Sequence, residues 1–478
     1  MFGGFGRKTP YLLSSLSVAA AQHIHDSDEV SSPVKQHRAL RPQIATPSKN
    51  IIGRVQRLVR KNMIEIGTPG IIIGVSINGK DVWTQGFGYA DIENEVKCKF
   101  NTIMRIASIS KSLTMAAVAK LIEDGKLSLN AAIQDYVPDF PNKFYENEKA
   151  EITLKMLLSH TSGIRHYKKK ENAELDEKKS EQNDKTEKGI SATENRSSTP
   201  EFEHLEYYSM KPYKSIAEAL EMFKNDSLFH KPGTKFLYTT HGYTLVSAVV
   251  EKAAGEEFIL HMKKLFHKLG MNNTSAENPI DIVYNRAKHY QRNENGRLVN
   301  VPYVDNSYKW AGGGFISNIP DLLKFGNVML YSFQHSGNGL CSNPGFLKSD
   351  TVKMMWSPIV KPEQNSDKRL RTNTYYGLGW SVYPESQEYE YANRYDFEVL
   401  HTGGAIGASS VLYILPSETK IAESELSKKP EDTNLTLNSE IIPPHGIVVA
   451  ILTNLQGVNL TGLARKIAKE FEPLATAE

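Results

Sequence analysis

A helix, an antiparallel hairpin and a second helix open the folded part of the chain, and two strand-like runs followed by a helix close it. This order predicts an α+β fold: an antiparallel β-sheet flanked by helices, built from the first and last stretches, with a mostly helical subdomain between them. The sheet-bearing part is expected at about 49–105 and 311–478, and the helical part at about 106–310. With 478 residues, 40% of them hydrophobic, the chain has enough apolar material for a core that needs neither disulfides nor metals.

The elements follow in order. In "NIIGRVQRLVRKNMIEIG", Ile51, Val55, Leu58, Val59 and Met63 recur at helical spacing with arginines between them, and Gly67 and Pro69 end the helix. Next, "GIIIGVSINGKDVWTQGFGYAD" holds two β-rich runs around Asn78-Gly79, the dipeptide best suited to a type I′ turn. The apolar helix that begins near Ser108 follows. Towards the end, "SSVLYILP" and "GIVVAILTN" read as strands, and a helix near 461–471 places Leu463, Ile467 and Ala468 on one face.

Other stretches do not read as packed structure. Residues 1–25 contain no acid, carry Arg7 and Lys8, and continue into an apolar, serine-rich run. That fits an organelle presequence, but also a secretory signal with Ala19 to Ala21 at the cleavage site, or a tail with no address. Residues 26–48 are polar and contain prolines, as a linker would. Residues 167–206 are dense in charge and nearly free of large aliphatics, which predicts a disordered or loosely helical insertion in a surface loop. Residues 418–444 read as another long loop.

Several function classes are disfavoured. A formal charge of +3 comes from 57 bases and 54 acids, too even for a dedicated nucleic-acid surface. "AGGGF" (311–315) lacks the Lys-Ser/Thr of a phosphate loop. Cys98 and Cys341 form no zinc or redox spacing and read as small hydrophobes. No apolar run reaches the roughly 20 residues of a membrane-spanning helix, so a soluble or peripherally attached protein is expected.

Chemistry concentrates in "RIASISKSLTM". Ser108 and Lys111 are one helical turn apart and project from one face, whereas Ser110 lies on another. A serine becomes a nucleophile when a base takes its proton, and a lysine serves where burial and neighbouring cations lower its pKa. The spacing recurs at Ser32/Lys35 and Ser417/Lys420, but only Ser108 and Lys111 open a run of Leu113, Met115, Val118 and Leu121. Lys111 also sits in the first turn, where the helix dipole disfavours a cation. Two further runs have the composition of partners. Tyr238-Thr239-Thr240 precedes a helix expected from near Gly242, and its tyrosine either presents a phenol to a cleft or packs structurally. His401-Thr402-Gly403-Gly404 lies between strand-like runs, where the glycines let a substrate lie close and a backbone N–H near Gly404 can donate to an oxyanion. His160 reads as a cation complementing the end of the helix "ITLKMLLSH" rather than as the base of a Ser-His dyad. Asp305 and Lys309 either line the cleft or satisfy their own loop.

In order, Ser108-x-x-Lys111, Tyr238-x-Thr240 and His401-Thr402-Gly403 resemble the three motifs of serine β-lactamases and penicillin-binding proteins. With "LLSHTSGIRHY", "RLVNVPYVDNSYKWAGGGF" and "DLLKFGNVMLY", the chain is similar, from about Lys49 to its end, to the class C-like mitochondrial serine β-lactamase-like branch found in animals. The resemblance implies a β-lactamase/transpeptidase-like hydrolase domain over 49–478. It implies Ser108 as acyl-accepting nucleophile, Lys111 as its proton partner and Tyr238 as second acid/base group. The oxyanion hole would use the amides of Ser108 and Gly404, with Thr240, His401, Thr402 and Gly403 binding substrate. No metal or cofactor is implied. It further implies a peptide or ester substrate, a mitochondrial intermembrane-space location, a role in lipid metabolism and assembly into homo-oligomers or filaments. Two departures stand out: Thr240 replaces an asparagine, and His401 replaces a lysine that holds a substrate carboxylate. Both weaken the case for β-lactams as substrates. The alternatives are a polymerising scaffold with a residual site, and a β-lactam-binding or -hydrolysing protein.

Overall fold

The computed structural model describes residues 46–167, 205–335, 345–362, 373–388, 393–417 and 443–475. The expectations for the presequence, most of the linker, Cys341, nearly all of the charged insertion and most of the second polar stretch lie outside the described residues.

The first helix runs Lys49–Ile66. The Ser48 hydroxyl accepts from the Ile51 N–H at its start, and Gly67 ends it in the left-handed region at φ 62°. The hairpin joins Gly70–Ile77 to Lys80–Asp91 through Asn78 and Gly79, whose φ values of 48° and 77° both lie in the left-handed region that a type I′ turn requires. These strands enter an eight-stranded sheet in the order Tyr375–Tyr376, Ser381–Tyr383, Glu398–Ala405, Ala408–Pro416, Gly446–Thr453, Gly70–Ile77, Lys80–Asp91, Val96–Lys97. Every neighbouring pair is antiparallel.

Both faces of this sheet are covered. Ile71, Ile73, Val449 and Ile451 pack with Val55 and Val59 of the first helix and with Leu463, Ile467 and Phe471 of the last, Thr461–Ala475. On the opposite face, Ile72, Leu412, Val448 and Leu452 meet Ile319, Leu322 and Leu323 of the helix Ile319–Gln334 and the helical subdomain beyond. Burial on both sides is why "GIIIGVSI" is a continuous apolar run rather than an alternating one.

The helix Ile109–Glu123 lies deep inside the molecule, buried almost throughout. Its polar side chains are satisfied internally: Ser112 Oγ donates to Gly379 O at 2.7 Å and Thr114 Oγ1 to Ala311 O at 2.9 Å. Ser110 Oγ accepts from the Phe315 N–H at 3.3 Å. The helix after the Tyr-Thr-Thr run spans Thr240–Ala254, two residues earlier than expected, because Thr239 Oγ1 takes the cap role by accepting from the Gly242 N–H at 3.2 Å.

Candidate active site

Ala107 has φ 47°, an unfavourable conformation for a residue with a Cβ, and it turns the chain sharply into the buried helix. The next residue, Ser108, holds the N-cap position but makes no side-chain cap bond and is half-buried. Its Oγ accepts instead from Lys111 Nζ at 3.0 Å. Lys111 is fully buried, and Nζ also donates to the Gly312 carbonyl at 2.6 Å, on the turn Trp310–Gly313. That carbonyl offsets part of the cost of burying the lysine nitrogen in the first turn of a helix. The same Nζ lies 4.6 Å from the centre of the Tyr238 ring and 5.4 Å from that of Tyr243.

The strand Glu398–Ala405 closes the other side. A Cβ at Gly403 would come within 2.4 Å of the Ile106 carbonyl oxygen and 2.2 Å of Ser410 Oγ. Gly403 therefore lets the strand lie against the turn that presents Ser108. Ser410 Oγ donates to the same Ile106 carbonyl at 2.8 Å and fixes that contact. Gly404 is half-buried and lines one cleft with Ser108, Thr240, Lys309, Tyr167 and Tyr207. Thr402 is exposed. His401 is buried and both ring nitrogens are engaged, Nδ1 donating to Thr402 O at 2.7 Å and Nε2 sharing a hydrogen bond with the Tyr376 hydroxyl at 3.0 Å.

His160 is not the helix-end cation that its sequence position suggests. It has φ 59°, is fully buried and packs with tilted rings 4.2 Å from Tyr238 and 4.8 Å from Tyr376, centre to centre. Its Nδ1 accepts from the Thr239 N–H at 3.2 Å. Burial, reinforced by the charge of Lys111, holds the imidazole well below its ordinary pKa, so it is neutral. The ring acts as a wall behind Tyr238.

Two ion clusters brace the cleft. Arg105 Nε donates to Glu277 at 2.8 Å and its Nη1 to the Ile406 carbonyl at 2.7 Å, just after Gly404. Arg165 grips Glu206 through both Nη atoms at 2.7 and 2.9 Å and reaches Asp226 through Nε at 2.6 Å. Although desolvation opposes it, hydrogen bonds from His241 and Arg165 hold the Glu206 carboxyl down at about 2. This cluster secures Tyr207, whose hydroxyl donates to Gly404 O at 3.1 Å. Of the two residues left open from the sequence, Lys309 lines the cleft. Asp305 serves its own loop, accepting from the Ser307 N–H at 2.8 Å. Tyr167, Tyr207 and Tyr376 carry no motif. For the first two, the one available signal is an aromatic residue at each end of the charged insertion.

A family model described as "Beta-lactamase" matches residues 55–470. The human "Serine beta-lactamase-like protein LACTB, mitochondrial" is 46% identical over 444 residues, covering 85% of this chain and 77% of that protein. Among solved structures, the octameric penicillin-binding protein homologue from Pyrococcus abyssi superposes with a TM-score of 0.61 at 22% identity, covering 89% of this chain and 78% of its own. A class C β-lactamase gives 0.58 at 16% identity, covering 90% and 97%. The structural likenesses bear on the fold, and the sequence matches carry the relationship: this chain belongs to the serine β-lactamase-like family.

Proposed function

We propose that the protein is a serine hydrolase of peptide or ester bonds that works through an acyl-enzyme on Ser108. The observation that carries this reading is the half-buried Ser108 hydroxyl bonded to a fully buried lysine at the mouth of a cleft that Gly404 also lines. Ser108 Oγ attacks the substrate carbonyl carbon while Lys111, in its neutral amine form, takes the hydroxyl proton, and Tyr238 relays that proton to the leaving group as its bond to the carbonyl carbon breaks. The amides of Ser108 and Gly404 are the natural donors to the developing oxyanion. Water then releases the acyl group. Ser108→Ala and Lys111→Met should each lower ester turnover on the order of 10³-fold or more, measured as kcat with a chromogenic ester; turnover equal to wild type in either variant contradicts the assignment.

The relatives' names support a mitochondrial protein, and the family resemblance extends the proposal to the intermembrane space, to lipid metabolism and to filament assembly. A second reading, a polymerising scaffold with a residual site, draws on Ile280, Ile282 and Tyr284, which lie 85%, 89% and 83% exposed in one loop. If Ser108→Ala assembles on a sizing column like wild type and restores the phenotype of a null background, the scaffold reading prevails. β-Lactam binding ranks last, because His401 has both ring nitrogens engaged; stable labelling by a fluorescent penicillin would reverse that order.

A further inference from the structure

We propose that Lys309 is a specificity-determining residue, which reads a carboxylate on the acyl part of the substrate from the wall formed by Ser307–Lys309 rather than from the strand that carries His401. The inference rests on the serine-hydrolase reading of the same cleft and deepens it.

Four observations support it. Lys309 lines the cleft that holds Ser108 and Gly404, although the residue is only 5% exposed. Its Nζ lies 4.3 Å from the centre of the Tyr207 ring, 5.1 Å from Tyr308 and 5.6 Å from Tyr167, and aromatic faces attract a cation. On the strand side, both ring nitrogens of His401 are already engaged, Nδ1 with the Thr402 carbonyl and Nε2 with the Tyr376 hydroxyl. Finally, the backbone around Lys309 is braced. Thr244 Oγ1 donates to Tyr308 O at 2.8 Å and the Lys309 N–H to Asn306 O at 3.0 Å, while the Asn306 side chain donates to Glu277. Glu277 is the carboxylate held by Arg105, which also holds Ile406 O beside the cleft. One buried network therefore fixes the backbone that carries Lys309 relative to the strand turn that follows Gly404, as a site that reads charge requires of its support. A point charge set among aromatic faces selects for a carboxylate and against a neutral group of the same shape.

The test compares p-nitrophenyl hemisuccinate with its neutral methyl-capped counterpart, using the full chain as wild type, Lys309→Met and Lys309→Arg. The wild type should prefer the anionic ester. In Lys309→Met the ratio of kcat/KM, anionic over neutral, should fall about tenfold or more, chiefly through KM for the anionic ester. Lys309→Arg should keep most of the preference, which loss of a merely structural lysine would not produce. A fluorophosphonate adduct at Ser108 in each variant shows that the nucleophile and the fold are intact. Equal ratios in wild type and Lys309→Met, with Ser108 still labelled, overturn the inference and leave the serine-hydrolase reading standing. Absence of Ser108 labelling in the wild type overturns that reading and the inference with it.

Discussion

Ser108 and Lys111 illustrate how little a short motif says until its surroundings are known. The same spacing occurs three times in the chain, and what distinguishes this copy is an apolar helix buried all round. Gly403 shows another side of the same point, because the turn before Ser108 leaves no room for a Cβ at that strand position. Gly403→Ala would bring a Cβ against the Ile106 carbonyl and push strand and turn apart. We expect destabilisation of about 1–3 kcal/mol in urea unfolding, together with loss of most ester turnover; a variant of unchanged midpoint and turnover contradicts the packing argument. Lys309, Tyr167 and Tyr207 converge on Ser108 from segments far apart in sequence, so no local spacing encodes their meeting. The sequence leaves Lys309 undecided for that reason.

At the level of elements, what was legible is what depends on local chemistry. Asn78-Gly79 specifies its turn because both residues tolerate the left-handed region, and Gly67 ends the first helix on the same ground. The helix Ile109–Glu123 was legible as apolar but not as central, because a helix buried on every side has no period pointing to its neighbours. His160 departs from the helix-end role its position suggests because its helix, Leu154–Leu158, is one turn long and the histidine lies past its end inside an aromatic cluster. The Arg165 cluster, which joins residues far apart in sequence, had no signal at all. Arg165→Met should leave Glu206 and Asp226 without their cation and cost about 3–5 kcal/mol in urea unfolding. It should also loosen Tyr207, raising KM for esters. An unfolding midpoint like that of wild type would show that the cluster does not hold this wall.

Across the whole molecule, the described residues from 46 onwards belong to one compact unit in which the helical part and the sheet share the apolar core beneath the cleft. That core includes histidines kept neutral. Burial lowers His160 and His289 well below the ordinary value, and it brings His241 down to about 4 against the pull of Glu206. Each binds its proton more weakly folded than unfolded, so the stability it supports is complete above the unfolded value near 6.5 and is lost as pH falls. For His241 the loss runs from about 6.5 down to about 4. Glu206 has the same sign over a lower window, losing its contribution as pH falls from about 4.5 towards 2. Urea midpoints should therefore decline steadily on acidification from pH 6.5, and His241→Phe should flatten the decline between about 6.5 and 4; a decline unaltered by that substitution contradicts the burial account.

All three scales meet in the claim that Ser108 is acylated. Intact-mass analysis after incubation with a fluorophosphonate probe tests it most directly. The account predicts a single adduct on the wild type, located to Ser108 by peptide mapping, and none on Ser108→Ala at the same probe concentration. Labelling of Ser108→Ala to the same extent as wild type would contradict it.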